Sequence, residues 1–296
     1  NDHTPPFLPV KTSLRFLPGL ALAASVSMLV TALPGRAAEY QWDFAGGLNP
    51  TFGNGRLEYA DTHTSVLTTF GTTDGAAVPH INGEAAAFMR VPAFTALSQG
   101  YQATFAATGP NGGGAYVNQY TVVLDLLSPG SINWTPLFNT EPGNGNDADF
   151  YIAPDGSLGI RALGYSAPGV IAPDTWYRVA FTVDLGAGSA AYYINGAAVH
   201  TRTASSLLDG RFSLYSNLDA GPDLLFFNEG DTSGDYTHEL LVNSLYFTDR
   251  ALTAGEVAAL GGPNALGIVP VPEPATWALL GLGAGAVWLA RRRRGC

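Results

Sequence analysis

Short apolar runs separated by turn-forming residues dominate the middle of this chain and favour β-structure throughout. The 296 residues include 36 Gly and 20 Pro. Between Glu39 and Pro263 these residues, with Asn, Asp and Thr, alternate with brief β-branched or aromatic runs, a pattern typical of many strands joined by turns. A segment of this size suits one β-sandwich or jelly roll. We therefore predict a single all-β domain over residues 39–263.

The clearest predicted strand runs from Trp176 to Asp184. One face alternates with period two and carries Tyr177, Val179, Phe181 and Val183, whereas Arg178 and Thr182 belong to the other face. After a Gly-rich turn, Ala190 to Ile194 meets Asn195-Gly196, a dipeptide suited to the positive φ angles of a tight hairpin. A returning strand is expected over 197–201.

Other strands and one helix follow from the same patterns. Thr253-Ala254-Gly255-Glu256 has the form of a capping box, which predicts a short helix that Gly261-Gly262-Pro263 ends. The further strands are predicted at 39–44, 86–91, 101–106, 120–127, 149–152, 158–161, 212–216, 224–228 and 240–248.

The two ends of the chain differ from this domain. Lys11 and Arg15 precede the apolar stretch Phe16 to Leu33, with small residues at Ala37 and Ala38, so residues 1–38 are predicted to be a secretory signal peptide with a possible upstream extension.

At the other end, residues 275–290 contain no charge and would span about 24 Å as a helix, short of a ~30 Å hydrocarbon core. Arg291 to Arg294 would stay cytoplasmic under the positive-inside rule. On these grounds alone, an ordinary single-span tail anchor explains the C-terminal segment as well as a temporary membrane anchor does.

A short motif narrows the interpretation of the C-terminal segment. Pro272-Glu273-Pro274 lies directly before the Gly/Ala-rich apolar span and the Arg cluster, and this order resembles the PEP-CTERM sorting signal that exosortases process in Gram-negative bacteria. The resemblance implies recognition through Val271 to Pro274, transient anchoring in the inner membrane by the C-terminal transmembrane helix, and orientation by Arg291, Arg292, Arg293 and Arg294. It also implies export to the cell surface or extracellular matrix. The expected organisation is a signal peptide (1–38), a domain (39–263), a linker (264–270) and a sorting signal (271–296).

The negative charge of the exported region excludes nucleic acid as a partner. Residues 39–274 hold seven Arg, no Lys and 23 Asp plus Glu, a net charge of −16. Such a surface repels nucleic acid. Because the chain's one cysteine is Cys296, no disulfide within this region is expected.

The last strand and helix resemble a known fold family. Val242 to Leu260 is similar to the terminal strand, Asp-Arg-Ala-Leu turn and capped helix of LamG-like, concanavalin A-like jelly rolls. Asp174 to Asp184 resembles that family's Trp strand, Tyr192 to Gly196 its hairpin, and Tyr40 to Phe44 its opening strand. The resemblance implies a jelly-roll β-sandwich, in a family that includes both lectins and β-glucanases.

No catalytic residues are predicted. Glucanases of this fold carry two Glu on one ExDxxE strand, as a retaining mechanism requires. The nearest match here begins Glu229-Gly230-Asp231, and Gly234 stands where the second carboxylate would be. The chain is therefore expected not to be an enzyme.

No cofactor is expected to be required, but Ca²⁺ is possible because flexible loops can supply its six to eight oxygen ligands. The same residue types also favour turns for conformational reasons. The candidate ligands fall in two loops: Asn144, Asn146, Asp147 and Asp149 in one, and Asn217, Asp219 and Asp223 in the other. Glu229, Asp231 and Asp235 form a third acidic cluster.

Loop aromatics could stack on sugar rings, since they combine apolar area with a polar end. The candidates, each near a Gly/Asn-rich turn, are Trp134, Tyr116, Tyr120, Tyr165 and Tyr236. For Trp134 a buried strand end is the competing interpretation.

Together these features predict an exported, exosortase-processed surface or matrix protein that binds carbohydrate or another matrix component without catalysis. Two alternatives stay open: a polysaccharide-active glycoside hydrolase with a divergent carboxylate pair, and a structural or adhesive protein-binding module.

Overall fold

The structure is a computed structural model that describes residues 37–96, 98–105, 108–140, 149–203, 208–214, 216–217, 221–228 and 238–268. Two helices, α1 (Thr62–Leu67) and α2 (Ala254–Leu260), and one 3-10 turn (Thr73–Gly75) accompany the strands. In chain order the strands are β1 (Glu39–Trp42), β2 (Arg56–Tyr59), β3 (Thr69–Thr72), β4 (Ala87–Val91), β5 (Tyr101–Thr104), β6 (Gln119–Leu127), β7 (Thr135–Asn139), β8 (Asp149–Ile152), β9 (Leu158–Ile160), β10 (Gly164–Tyr165), β11 (Tyr177–Asp184), β12 (Ser189–Ile194), β13 (Ala197–Thr203), β14 (Ser216–Asn217), β15 (Gly221–Phe226) and β16 (Leu240–Thr248).

The strands form a sandwich of two antiparallel sheets. The first sheet has the order β13-β12-β11-β6-β16-β4-β3, with β1 paired to β16. The second has the order β10-β9-β8-β7-β15-β5-β2, with β14 paired to β15. This confirms the predicted all-β sandwich. Within the described ranges no helix is long and apolar enough to cross a membrane, and the predicted signal-peptide and transmembrane helices lie outside those ranges.

The inner faces of the two sheets form one aromatic core. Phe247 of β16 stacks on Phe105, which follows β5, with ring centroids 3.8 Å apart and an interplanar angle of 11°. Phe150 of β8 stacks on Phe181 of β11 at 4.6 Å. Both contacts join one sheet to the other, and burial of such rings supplies roughly 1.5–3 kcal/mol per side chain. The alternation predicted for β11 is confirmed, since Val179, Phe181 and Val183 all belong to this core.

The predicted hairpin between β12 and β13 is confirmed in position. Asn195 and Gly196 have φ angles of 50° and 82°, the left-handed values that a two-residue turn requires. The predicted returning strand extends two residues further, to Thr203.

Helix α2 begins with the predicted capping box. The Thr253 hydroxyl accepts a hydrogen bond from the Glu256 amide, and the Glu256 carboxylate accepts one from the Thr253 amide. The helix packs on the outer face of the first sheet, where Val257 and Leu252 lie against Val123 and Tyr193. Arg178 and Thr182, on the outer face of β11, are therefore buried beneath neighbouring segments.

Residues 261–268, which we call the strap, also pack on this outer face. The Asn264 amide donates to Asp125 at 3.2 Å, the Gly267 carbonyl accepts from Arg178 at 3.3 Å, and Ile268 is buried in the cluster beneath α2. Residues 264–268 are thus part of the folded domain and differ from the linker expected over 264–270. The reason is that a buried ion pair supplies partners for the backbone of the strap.

Several elements had weak local signals. Helix α1, capped by Asp61, and strands β2 and β3 lie in segments where neither a strand nor a helix was predicted. Strand β7 begins directly after Trp134 and is buried throughout, which agrees with the strand end considered there. Conversely, residues 212–214 of the strand predicted at 212–216 form a turn and a single bridge between Leu214 and Val117, and Ser216 begins the short strand β14.

Candidate functional site

A row of cross-strand neighbours forms the base of the candidate site on the second sheet. Pro136 of β7 is paired with Tyr151 of β8, Tyr151 with Gly159 of β9, and Gly159 with Tyr165 of β10. Because side chains alternate along a strand, paired residues share a face. Phe150, Ile152 and Leu158 belong to the inner core, so this row lies on the outer face.

Gly159 allows the edge strand β10 to lie close to its neighbour. A Cβ atom at position 159 would lie 2.4 Å from the Gly164 carbonyl oxygen, 2.8 Å from Cα of Tyr165 and 3.1 Å from its ring. Any larger residue would displace β10. The glycine therefore sets the position of the Tyr165 ring on the outer face.

Three rings, Trp134, Tyr151 and Tyr165, form what we call the aromatic patch. The Trp134 ring lies 6.0 Å from that of Tyr151 at 88°, and 6.1 Å from that of Tyr165 at 70°. Edge-to-face contacts of this kind hold aromatic rings in fixed relative orientations. All three residues are partly exposed, and exposed Asn133 lies beside Trp134. The patch thus presents apolar ring surface together with phenol, indole and amide groups.

The segment that leads into β10 and its Tyr165 is attached to the edge of the first sheet. Tyr192 of β12 donates a hydrogen bond to the Gly164 carbonyl at 3.2 Å, and Arg202 of β13 donates one to the Leu163 carbonyl at 3.2 Å. Burial raises the pKa of the Tyr192 phenol, which keeps this group protonated as a donor. His200 stacks on Tyr192 and places Nε2 3.0 Å from the same Leu163 oxygen. These contacts hold the loop beneath the patch.

The structure thus brings together two of the five predicted sugar-stacking residues, Trp134 and Tyr165, and adds Tyr151. The predicted strand 149–152 already placed Tyr151 on the face opposite Phe150 and Ile152, so its alternation was a usable signal. Its proximity to Trp134 depends on sheet register and had no local signal.

Tyr120 is corrected from a surface candidate to a core residue. Its side chain is fully buried and its hydroxyl donates to the Phe212 carbonyl at 2.9 Å. Burial raises the pKa of the phenol. The β6 strand is buried on both faces, and a ring enclosed in this way cannot stack on a sugar.

Tyr116 lies in another part of the domain and Tyr236 lies outside the described residues. Tyr116 is partly exposed, and its backbone amide donates to Asp209 at 2.8 Å. It belongs to the loop before β6, whose closure depends on that carboxylate.

The predicted Ca²⁺ loops are described only at their ends. Asn144, Asn146, Asp147 and Asp219 lie outside the described residues, as do Glu229, Asp231, Gly234 and Asp235. Asp149 and Leu225 are both paired with Asn139 of β7, so the start of β8 and the β15 strand that contains Asp223 reach the same end of the second sheet. Asn217 of β14 is paired with Gly221, the first residue of β15. Among the described residues, no group of three or more His, Cys, Asp or Glu could hold a metal ion.

Several solved structures are distantly similar to this chain. The binding domain of botulinum neurotoxin serotype G has 14% identity and a TM-score of 0.47, and covers 75% of this chain and 50% of its own. The binding domain of botulinum neurotoxin DC, in complex with rat synaptotagmin II, has 11% identity and a TM-score of 0.49, and covers 76% and 51%. The chain therefore spans about half the length of these two. Domain 4 of a GH43 extracellular arabinanase from Geobacillus stearothermophilus, in complex with arabinotriose, has 19% identity and a TM-score of 0.45, and covers 76% and 98%.

The sequence comparisons concern the C-terminal segment. No curated protein matches the chain. Residues 270–294 match the family model described as the PEP-CTERM protein-sorting motif, and this range contains Val271, Pro272, Glu273, Pro274 and all four arginines of the cluster. The match confirms the resemblance seen in the sequence. The chain carries a PEP-CTERM sorting motif, which indicates export and membrane-associated sorting.

Proposed function

We propose that the protein is an exported, non-catalytic carbohydrate-binding protein that recognises extracellular polysaccharide through the aromatic patch. The observation that carries this proposal is the grouping of Trp134, Tyr151 and Tyr165 on the outer face of the second sheet. Sugar rings present C–H faces and hydroxyl edges, which match aromatic faces with polar ends. Stacking of this kind needs no acid–base pair.

The finer assignments belong to the same proposal. The order of a buried strand, β16, and a capped terminal helix, α2, supports a LamG-type, concanavalin A-like jelly roll. The sorting motif supports exosortase as the processing partner, transient anchoring in the inner membrane, and a final place on the surface or in the biofilm matrix of a Gram-negative bacterium. The net charge supports a partner other than nucleic acid.

Ca²⁺ is proposed to assist this binding from one end of the second sheet. The register that brings Asp149 and the β15 strand of Asp223 to the same end supports a shared site, because Ca²⁺ takes carboxylate and amide oxygens from adjacent loops. The expected result is that EDTA lowers glycan affinity and melting temperature, and that Ca²⁺ restores both. If EDTA changes neither, the Ca²⁺ proposal fails and the patch proposal is unaffected.

A glycan-binding assay with matched variants tests the patch. The full chain, held in a zwitterionic detergent without a sugar headgroup, is applied to a panel of β-glucans, arabinans and bacterial exopolysaccharide. Trp134→Ala should weaken binding on the order of tenfold, since it removes the ring that contacts both tyrosines. Phe52→Ala, which truncates an exposed ring outside the patch, should bind like wild type.

Two results would reject the proposal. If Trp134→Ala binds these glycans with wild-type affinity, the aromatic patch does not take part in recognition. Release of reducing ends from any of these glycans, abolished by Glu229→Gln, would replace binding with hydrolysis.

A further inference from the structure

Strand β13 ends the first sheet and is the longest of the four strands that end the two sheets. It has seven residues, Ala197–Thr203, and among the described residues it pairs only with β12. The strands at the other three ends, β3, β2 and β10, have four, four and two residues. An edge strand presents backbone N–H and C=O groups on which a further strand can pair. β13 therefore offers the longest surface for strand pairing at an end of either sheet.

β13 lacks most of the features that keep edge strands from pairing. Natural edges are protected by charges, especially Lys, by Pro, by bulges or by short length. β13 contains no Pro, no Lys and no acidic residue, and the side chain of Arg202 donates from Nη1 to the Leu163 carbonyl of the second sheet. Its one register irregularity lies near the hairpin turn, and residues 200–203 pair regularly with β12. Strand β2, in contrast, carries Arg56 and Glu58.

Contacts from within the domain fix the position of β13. The His200 ring stacks on the Tyr192 ring of β12, with centroids 5.0 Å apart and an interplanar angle of 27°, and its Nε2 lies 3.0 Å from the Leu163 carbonyl oxygen. Thr201 and Thr203 are exposed. A strand that is already ordered loses little conformational freedom when it binds, which lowers the entropic cost of pairing.

Charge and symmetry indicate a second copy of the chain as the partner. Residues 39–274 carry a net charge of −16, so two copies repel each other over most of their surface, but β13 contains no acidic residue. Antiparallel pairing of β13 with itself is a two-fold contact that closes at two copies, whereas pairing with a different edge would continue from copy to copy. A two-fold axis at His200 or at Thr201 places Arg202 opposite Ala198 or His200 of the second copy. No two arginines then face each other.

We propose that β13 is a dimer interface, at which it pairs antiparallel with β13 of a second copy and joins the two first sheets into one. The pairing does not depend on the proposed glycan binding. A dimer would carry two aromatic patches, and a polysaccharide that reached both would bind more tightly than one patch allows. Because pairing of two edge strands buries little surface, we expect a dissociation constant on the order of 10 μM.

Analytical ultracentrifugation of the full chain in the same detergent measures this constant. Thr201→Lys places a lysine in the middle of the exposed edge, and it should weaken dimerisation at least tenfold. The melting temperature of the diluted protein should stay at the wild-type value. The matched control is Thr69→Lys, the same change at an exposed residue of β3, which ends the first sheet on its other side. This control should dimerise like wild type.

Spin labels locate the contact within the dimer. The variant Cys296→Ser removes the chain's one cysteine, and Thr201→Cys in that background carries a nitroxide label on β13. Paired strands lie about 5 Å apart, so electron paramagnetic resonance should give a separation between the two labels within about 20 Å. Labels on Thr69→Cys in the same background should lie farther apart.

Three results would overturn the proposal. The first is a protein that stays monomeric at about 100 μM, tenfold above the expected dissociation constant. The second is a dimer that Thr201→Lys does not weaken, or that Thr69→Lys weakens equally. The third is a dimer in which the Thr201→Cys labels lie far apart, because the two copies would then meet elsewhere. None of these measurements uses a glycan, so they are independent of the outcome for Trp134→Ala.

Discussion

Arg178 and Asp125 form a buried ion pair with two parallel hydrogen bonds of 2.7 Å, from Nε to Oδ1 and from Nη2 to Oδ2. Their side chains are 4% and 0% exposed. The remaining guanidinium capacity goes to the carbonyls of Leu260 and Gly267. The pair thus joins β6 and β11 to the end of α2 and to the strap.

Arg178→Met should destabilise the domain by about 3–5 kcal/mol, because it leaves the Asp125 carboxylate buried without its counter-charge. Urea unfolding measures the change in free energy. The matched control is Arg56→Met, which breaks the exposed pair with Glu58 and should cost less than about 1 kcal/mol. Equal effects of the two variants would contradict a structural role for the buried pair.

Gly159→Ala should displace β10 and weaken glycan binding at the patch together with stability. The added methyl group would meet the Gly164 carbonyl and the Tyr165 backbone, and overpacking of this kind costs about 1–3 kcal/mol. Melting temperature and glycan affinity are the measurements. In the control Gly46→Ala, the methyl group meets nothing within 4 Å, so both quantities should stay at their wild-type values.

Phe247→Ala should cost about 3–5 kcal/mol, as removal of a buried aromatic ring usually does. The ring is fully buried and stacks on Phe105 across the sandwich. Leu266→Ala provides the control because its side chain is 80% exposed, and a change there should lie within about 0.5 kcal/mol. Urea unfolding of both variants tests the difference.

Asp209 should give the domain an acid-sensitive contribution to stability. Hydrogen bonds from Asn118 and from the amides of Ala115 and Tyr116 lower the pKa of its carboxyl. Since the folded-state pKa is below the unfolded value of about 3.9, the stabilisation is complete above that value and is lost as pH falls through the folded pKa. The melting-temperature difference between wild type and Asp209→Asn should therefore be constant near neutrality and shrink below about pH 4.

Asp43 gives a control of opposite sign. Burial raises the pKa of its carboxyl, against hydrogen bonds from Thr51 and Gln41. Wild type should therefore gain stability relative to Asp43→Asn as pH falls through the folded pKa. Parallel pH trends in the two variants would show that the Asp209 effect is not specific.

Local signals predicted much of this fold. The alternation around Phe181, the Asn195-Gly196 turn and the Thr253 capping box each depend on neighbours within a few residues, and the structure places all three as expected. Tyr120 could not be assigned in this way, because β6 is buried on both faces and alternation gives no outward side. Burial of the outer face depends on α2 and the strap, which are distant in sequence.

The candidate site was only half predictable for the same reason. Trp134 and Tyr165 were recognisable as loop aromatics, but their contact requires β8, β9 and β10 to pair in one register and requires Gly159 to admit β10. The linker expected over 264–270 overlaps the strap because residues 264–268 carry neither a strand nor a helix pattern. Its attachment comes from Arg178 and Asp125, which lie more than 80 residues earlier in the chain.

The attachment of the strap also determines how the domain would carry mechanical load. Ile268 is buried against Val123 and Ala180 of β6 and β11, and these strands lie in the interior of the first sheet. Tension applied from the C-terminal side would reach the domain through that interior and through the Arg178 ion pair, instead of peeling an edge strand from one end. An attachment of this kind distributes a load over several packed strands and should resist unfolding under tension.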